Sequence, residues 1–373
     1  MRRIPELDGL RGLAALTVVM FHLYITAVPF GWAAVDLFFV LSGFLITGIV
    51  IEQMERPGFL KTFYARRSLR IWPIYYLTIV VLLVATAVSW RVWLPFALYL
   101  QNTGFYLLPW DELRGKVFGP DWPTLNHTWS LAVEEQFYLV WPALLLLAGR
   151  SRVPLLAGLG LAVSVAARSA GYPHTLLLSR CDGLALGALL ASILSDPAIE
   201  SAEDRKAAVR PWIRVSLGLV LLLAMRLGHE WRTGRVRLPL GFRMEDAAAE
   251  VLTVSLLAFA LVAWVVVDSG HRRFAWLRWR PPGALGTISY GLYLYHVPVL
   301  HSVDAILPRS IVGFRALEGL LTLGLTLAVA GLSWRYIEQP ILRLKDRFDY
   351  LRPERVTAEA AAPPPLAISL AGE

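Results

Sequence analysis

Long apolar segments recur along the chain, separated by shorter polar or charged connections. A bilayer core about 30 Å thick needs roughly 20 predominantly apolar residues per helix, so segments of about 16 to 22 residues with few charges predict transmembrane helices. Ten such segments lie near 9–28, 33–51, 72–90, 129–148, 153–170, 181–195, 211–227, 249–267, 285–303 and 316–334. The pattern predicts an all-α, polytopic integral membrane helical bundle of about ten transmembrane helices.

Two apolar stretches fit this pattern less well. The segment 181–195 is short and has polar flanks, so a full and a partial crossing are both compatible with it. The stretch 92–100, "VWLPFALYL", predicts a re-entrant or interfacial piece because it is too short to span. At the amino terminus, "MRRIPELDGLRG" leads into a full-length helix without an A-x-A-like cleavage site, so we expect the first helix to be retained.

The connections indicate one membrane domain over residues 1–350, followed by a short tail. No internal repeat of about 20 to 50 residues is apparent in the sequence. The segment 101–128 is rich in Trp, Pro and Gly, and connections of that length often cover or line a site. Residues 351–373 are rich in Ala and Pro and are predicted to form a disordered cytoplasmic tail.

Composition and charge predict where the protein is located and how it is oriented in the membrane. The chain is 56% hydrophobic, and its mean hydropathy of +0.54 is too high for a soluble domain of this length. Placing both termini in the cytoplasm puts about two thirds of the 36 lysines and arginines inside, although the external loop 226–250 is arginine-rich against this trend. Topology and anionic headgroups account for the net charge of +8, so no nucleic-acid partner is expected. Arginine far outnumbers lysine, and Ala and Leu are abundant, which indicates a GC-rich bacterial genome. We predict a multi-pass protein of the inner (plasma) membrane.

The first predicted helix carries two ionisable residues, Arg11 and His22, that are costly to place in lipid. Their R-x10-H spacing brings them within about 20° of one another around a helix and about 16 Å apart along its axis. One helix face thus offers a fixed cation at the cytoplasmic surface and a titratable base deeper in the membrane. The structural alternative is a snorkelling arginine and a histidine that is hydrogen-bonded within the bundle.

Three arginines, Arg66, Arg67 and Arg70, precede the third predicted helix in "FYARRSLRIWPIYY". Spacings of three and four residues allow all three to converge on one ligand if this segment is helical. The planar guanidinium group suits phosphate. The alternative is that the three arginines contact lipid headgroups on the cytoplasmic side.

Two adjacent carboxylates, Glu134 and Glu135, fall in the first turns of the fourth predicted helix. Helical rise places Glu134 about 8 Å inside the outer boundary, close to the depth predicted for His22. Adjacent residues point in different directions on a helix, so the two carboxylates are not expected to share a face. We take Glu134 as a candidate catalytic carboxylate and Glu135 as a supporting residue, although carboxylates near a helix N-terminus can be purely structural.

Two further residues are candidates for a supporting role at the predicted site. His296, in "ISYGLYLYHVPVL", lies about 15 Å into the ninth predicted helix, where a hydrogen bond within the bundle is an equal alternative. Asp36 lies near the outer end of the second helix and is either an interfacial residue or a second orienting group for His22. In the same stretch, Ser42 and Gly43 are expected to permit close helix approach.

Together these groups suit a long phosphorylated donor from the cytoplasm and a hydroxyl acceptor from outside. The nucleotide of coenzyme A would rest on the arginines, and its pantetheine arm, roughly 15 Å long when extended, would present a thioester near His22. Histidine can deprotonate a hydroxyl near neutral pH, and a carboxylate can orient its ring. The constellation predicts O-acyl transfer from acyl-CoA without a metal ion, with His22 as a general base or a transient acyl carrier.

The sequence also resembles the acyltransferase-3 family of multi-pass membrane proteins, which acylate saccharides and some secondary metabolites. The resemblance covers nearly the whole membrane portion. It rests on seven motifs in order: "LDGLRGLAALTVVMFH", "DLFFVLSGFLIT", "RRSLRIWPIYY", "HTWSLAVEEQFYLVWP", "RCDGLALGALLAS", "ISYGLYLYHVPVL" and "YIEQP". The positions that match the family's functional motifs are the essential pair Arg11 and His22, the cytoplasmic R-x-x-R of Arg67 and Arg70, and the fourth-helix residues Trp129 and Glu134.

This resemblance implies a membrane acyltransferase domain over 1–350. It would transfer an acyl group, expected to be acetyl, from cytoplasmic acyl-CoA (acetyl-CoA) to a hydroxyl of a saccharide such as a cell-surface polysaccharide or a lipid-linked sugar. Some relatives add a soluble esterase-like domain, so we expect transfer here to be completed within the membrane unit or by a partner.

Two alternatives remain open from the sequence. The acceptor can instead be a macrolide-like metabolite. A proton-coupled membrane transporter is the alternative of a different class, because it too would bury His and Glu in about ten spans. A transporter does not need the R-x10-H geometry or the arginine cluster, and many transporters show internal repeats.

Overall fold

The computed structural model describes residues 3–24, 27–86, 90–103, 125–232, 247–307, 314–348 and 350. Within these ranges the chain forms helices and no strand, which confirms the all-α prediction. The helices are α1 (Pro5–Leu23), α2 (Ala34–Gln53), α3 (Phe59–Thr86), α4 (Trp90–Ala97), α5 (Trp129–Ala148), α6 (Val153–Ser169), α7 (Leu177–Arg180), α8 (Asp182–Leu194), α9 (Ala202–Arg232), α10 (Ala247–Val267), α11 (Arg280–Ile306), α12 (Phe314–Ser333) and α13 (Gln339–Arg343). A π-helical turn, Trp334–Glu338, joins α12 to α13, and a 3-10 turn, Leu344–Arg347, follows.

Six helical segments of the described chain are long and apolar enough to cross a membrane. They are Gly31–Gln53, Phe59–Ala85, Asn126–Ala148, Arg150–Ser169, Ala248–Val267 and Phe314–Arg347. The other four predicted segments also contain helices, namely α1, α8, α9 and α11, but these are not among the six; α8 is shorter, and α1 has more charged residues. Glu6, Asp8 and Arg11, for example, all lie near the start of α1. The count of ten spans and the orientation of the termini stay predictions.

Helix boundaries differ from the sequence prediction mainly in α3. This helix begins at Phe59 rather than near residue 72, so the three arginines of "FYARRSLR" lie inside it. The eight-residue helix α4 agrees with the prediction that 92–100 is too short to span. The predicted tail 351–373 and most of the predicted loop 101–128 lie outside the described residues.

Close backbone contacts bring the site-bearing helices together. α1 packs most extensively on α11, and α2 on α8. A Cβ atom added at Gly43 in α2 would overlap the carbonyl of Leu184 in α8, and one added at Gly286 in α11 would overlap the carbonyl of Asp8 in α1. Small residues at membrane helix interfaces allow such an approach. The expectation that Gly43 permits close helix approach is therefore confirmed.

We expect Gly43→Ala to lower the unfolding temperature of the purified protein in detergent. Overpacking of this kind costs about 1–3 kcal/mol. Gly218→Ala is the matched control, because a Cβ atom at Gly218 in α9 meets nothing within 4 Å. This control should keep or raise the unfolding temperature, since alanine is the better helix former. Equal unfolding temperatures for the two variants would contradict the packing.

Candidate active site

A cavity of about 80 Å³ lies between α1, α2, α3, α5 and α11. We call it the arginine cavity. Its lining includes Arg11, Arg67 and Arg70 together with Glu134 and Glu135. Three predicted cations and both predicted carboxylates, which come from three helices, thus border one space. The three guanidinium groups outnumber the two carboxylates, which favours an anionic ligand.

Arg67 has an unused hydrogen-bond donor at the arginine cavity. Its guanidinium carbon lies 3.9 Å from the centre of the Tyr138 ring, a cation–π contact that holds the group at the cavity wall. Its Nε is buried without a hydrogen-bond partner among the described residues. Leaving such a donor unsatisfied costs about 1–3 kcal/mol. A phosphate oxygen at this position would remove that cost.

Arg66 does not join the other arginines. Its Nη1 donates to the carbonyl oxygens of Phe348, at 2.6 Å, and Lys345, at 3.1 Å, and its guanidinium lies 5.5 Å from the centre of the Tyr350 ring. Successive residues on a helix point about 100° apart, so Arg66 faces Lys345, Phe348 and Tyr350 while Arg67 faces the cavity. The prediction that all three arginines converge is wrong for Arg66, which contacts these residues instead.

The two carboxylates border the arginine cavity from different directions. Glu134 Oε1 accepts a hydrogen bond from Ser42 Oγ at 2.6 Å, and Ser42 Oγ in turn accepts one from the Tyr138 hydroxyl at 2.8 Å. Glu135 Oε2 accepts from Trp72 Nε1 at 3.2 Å. The sequence prediction treated Ser42 only as a small packing residue and missed its bond to Glu134. A hydroxyl within an apolar run was the available signal.

His22, at the carboxyl end of α1, contacts a second histidine. Its Nδ1 lies 2.9 Å from the Val18 carbonyl oxygen and 3.2 Å from Nε2 of His296, whose own Nδ1 lies 2.6 Å from the Tyr293 carbonyl oxygen. A carbonyl oxygen only accepts, so both Nδ1 atoms carry hydrogen. Nε2 of a neutral His296 then carries no hydrogen, and the single Nδ1–H of His22 is shared between this nitrogen and the Val18 carbonyl oxygen. This leaves Nε2 of His22 as its basic nitrogen.

A third histidine, His127, was missed by the sequence prediction. Its Nε2 lies 3.0 Å from the Tyr293 carbonyl oxygen, and its ring centre is 4.7 Å from that of His296. The Tyr293 hydroxyl donates to the His127 carbonyl oxygen at 2.6 Å and lies 2.6 Å from Ser130 Oγ. His127 lies just before α5, in the "HTW" that opens the fourth-helix motif, so a polar ring at a helix entrance was the signal.

Glu134 is not beside His22. Its hydrogen bond goes to Ser42, whereas the ring of His22 is held by Val18 and His296. The prediction that a carboxylate orients His22 is therefore replaced by a histidine–histidine contact. Similar depth along two helices does not decide whether two side chains meet, because the rotation of each helix about its axis sets the side-chain direction.

Asp36 and Trp129 support the packing of α2. The Asp36 carboxylate is completely buried, forms an ion pair with Arg180 Nη2 at 2.7 Å and accepts from Ser255 Oγ at 2.7 Å. Trp129 packs edge-on against Phe39 and lies 5.7 Å from the Arg180 guanidinium. Asp36 therefore does not orient His22, because both of its oxygens are engaged elsewhere.

His22 also borders a second cavity, of about 320 Å³, which we call the histidine cavity. In the described part of the chain, it shares no lining residue with the arginine cavity. Ser130 and Tyr293 line the arginine cavity, and Tyr293 is also bonded to His127 and His296. The histidine cluster of His22, His127 and His296 therefore lies between the two spaces. Among the described residues, no group of His, Cys, Asp or Glu has the arrangement of a metal site.

Comparisons with known proteins agree with the motifs. A family described as an acyltransferase domain matches residues 4–335. Peptidoglycan O-acetyltransferase OatA of Listeria monocytogenes is 30% identical over 369 residues, which cover 91% of this chain and 56% of the relative. "Putative peptidoglycan O-acetyltransferase YrhL" of Bacillus subtilis is 31% identical over 372 residues, which cover 91% of this chain and 55% of the relative.

The chain spans a little over half the length of these curated relatives. No solved structure matches it. The family match extends from the first residues of α1 to the π-helical turn after α12, and so includes every helix that borders the two cavities. The chain therefore belongs to the acyltransferase-3 family of membrane O-acyltransferases.

Proposed function

We propose that the protein transfers an acyl group, expected to be acetyl, from cytoplasmic acyl-CoA to a hydroxyl of a saccharide at the plasma membrane. One observation carries the proposal: on the single helix α1, Arg11 lines the arginine cavity and His22, with a basic Nε2, lines the histidine cavity. The names of the relatives, which are peptidoglycan O-acetyltransferases, support an acetyl group and a carbohydrate acceptor.

The phosphate groups of the donor, and not the whole coenzyme A molecule, would rest at the arginine cavity of about 80 Å³. Arg11, Arg67 and Arg70 offer charge-assisted hydrogen bonds to phosphate oxygens, and arginine makes these bonds in pairs. Helical rise separates Arg11 from His22 by about 16 Å, similar to the reach of an extended pantetheine arm. A donor whose phosphates rest on the arginines can thus present its thioester at the histidine cluster.

His22 would act as the general base. Its Nε2 takes the proton of the acceptor hydroxyl while that oxygen attacks the thioester carbon. The new C–O bond forms as the C–S bond breaks, and the imidazolium returns the proton to the coenzyme A sulfur. His296 Nε2 accepts from Nδ1–H of His22, so it fixes the ring and stabilises the positive charge that develops there.

His296 is thus a positioning residue, and its replacement has a specific signature. We expect His296→Leu to lower kcat about five- to tenfold, as the loss of a hydrogen bond worth about 1 kcal/mol implies, without changing the dissociation constant of coenzyme A. His296→Gln retains an acceptor oxygen and should recover part of the rate. Equal losses in both variants, or weaker coenzyme A binding, would indicate a structural role instead.

Transfer by the purified full chain in detergent tests the proposal. Isotopically labelled acetyl-CoA is supplied with a panel of saccharides and a macrolide, and labelled product is measured alongside coenzyme A binding. Labelled saccharide is the expected product. Labelled macrolide alone would overturn the acceptor class, and the absence of coenzyme A binding would overturn the acyltransferase function and favour the proton-coupled transporter.

A further inference from the structure

The histidine cavity has a lining unlike that of the arginine cavity. Its lining residues are His22 and Leu23 from α1, Leu300, His301 and Asp304 from α11, and Phe314, Arg315 and Glu318 from α12. Two carboxylates, one arginine, a second histidine and apolar side chains thus face the space that His22 borders. From this lining we infer that the histidine cavity binds one unit of an uncharged saccharide acceptor and that Glu318 selects it over anionic units. This inference rests on the function proposed above.

Glu318 is a fixed, desolvated hydrogen-bond acceptor. Only 4% of the residue is exposed, although it borders the cavity. Arg315 Nη1 donates to its Oε2 at 3.1 Å, which holds the carboxylate in one orientation. A carboxylate has about four lone-pair positions, and the bond from Arg315 uses one of them. The carboxylate therefore retains capacity to accept hydrogen bonds from hydroxyl groups of a ligand.

The position of Glu318 relative to His22 is set by a tight contact between α1 and α12. A Cβ atom added at Gly319 would overlap the hydroxyl of Tyr24, the residue that ends α1. The same hydroxyl donates to the Ala316 carbonyl oxygen at 3.4 Å. The turn of α12 that carries Glu318 is thus held against the end of α1 that carries His22. A ligand bonded to Glu318 is kept beside the proposed base.

Size and charge point to one class of ligand. A cavity of 320 Å³ is near the lower end of the range of about 300–1,000 Å³ for small-molecule sites, which suits one sugar unit and not a whole macrolide. Hydroxyl groups of a sugar donate to carboxylates, and its apolar ring face packs on side chains such as Leu300 and Phe314. A uronic acid would instead place its carboxylate beside Glu318, where like charges repel, and the Arg315 guanidinium on the same wall is already bonded to Glu318.

Kinetics with the purified full chain test this inference. Wild type, Glu318→Gln and the matched control Glu203→Gln, which changes an exposed glutamate on α9, are compared with acetyl-CoA and two acceptors. The acceptors are an N-acetylglucosamine oligomer and a uronic acid oligomer of the same length. Wild type should prefer the neutral oligomer at least tenfold in kcat/KM. Glu318→Gln should reduce this preference at least fivefold without weakening coenzyme A binding, whereas Glu203→Gln should keep it.

A second variant covers the case in which Glu318→Gln does not fold. Leu300→Trp fills the cavity and should raise the KM of the neutral oligomer about tenfold, again without weakening coenzyme A binding. Unchanged preference in Glu318→Gln, or unchanged KM in Leu300→Trp, would overturn the inference. The proposed function would still stand in that case if wild type gives labelled product. Failure of wild type to bind coenzyme A would overturn both.

Discussion

His22→Ala is expected to abolish acyl transfer while coenzyme A binding is retained. Removing a positioned general base costs about 10²- to 10⁴-fold in turnover. Binding should survive because His22 borders the histidine cavity, whereas the proposed phosphate ligands line the arginine cavity. The measurement is labelled-acetyl transfer by wild type and variant, with calorimetric titration of coenzyme A on the same samples.

A matched control comes from another histidine. His271 is exposed at the amino end of the 3-10 segment Arg272–Arg278, and His271→Ala should keep wild-type turnover. Turnover of His22→Ala within about tenfold of wild type would contradict the role of general base. Loss of coenzyme A binding in His22→Ala would show that the substitution disturbs the bundle and not only the chemistry.

Arg67→Gln is expected to weaken coenzyme A binding about 10- to 100-fold. A hydrogen bond to a charged group is worth about 1.5–3 kcal/mol, and each 1.4 kcal/mol is a factor of ten in affinity. Arg67 borders the arginine cavity and has a buried Nε without a partner, so the loss should appear in the dissociation constant. Calorimetric titration at two salt concentrations would measure it, with a smaller salt dependence in the variant.

The preceding residue provides the control for this prediction. Arg66→Gln removes the same charge from the same helix, but Arg66 donates to the carbonyl oxygens of Lys345 and Phe348 outside the cavity. We expect its coenzyme A affinity to stay within about threefold of wild type, because the lost hydrogen bonds are internal to the protein. Equal losses for the two variants would mean that general positive charge, and not the geometry of the cavity, attracts the donor.

The sequence predicted that the fold is all-helical, and it identified many of the residues that line the candidate site. Apolar run length locates helices because the bilayer thickness and the helical rise are constants. Arg11 and His22 share α1, so their separation along the axis follows from covalent geometry. Arg67 and Arg70 are three residues apart on α3 and border one cavity, as their spacing requires. Each of these predictions depends only on distances within one helix.

Contacts between helices were not predictable in the same way. Arg66 was expected beside Arg67, but its hydrogen bonds to the carbonyl oxygens of Lys345 and Phe348 take it away from the cavity. Glu134 was expected near His22, but the rotation of α5 directs it to Ser42. His127 was not singled out, because its position at a helix entrance does not show that it meets Tyr293 and His296, far along the chain.

The sequence by itself determined that this chain is a helical membrane protein of the acyltransferase-3 family, with a cation and a base on one helix. Periodicity, run length and motif order are local properties and need no knowledge of neighbours. Only the tertiary structure decided that His22 contacts His296 and that Glu318 lines the second cavity. Helix rotation and the approach of distant helices set these pairings, and a linear pattern does not contain them.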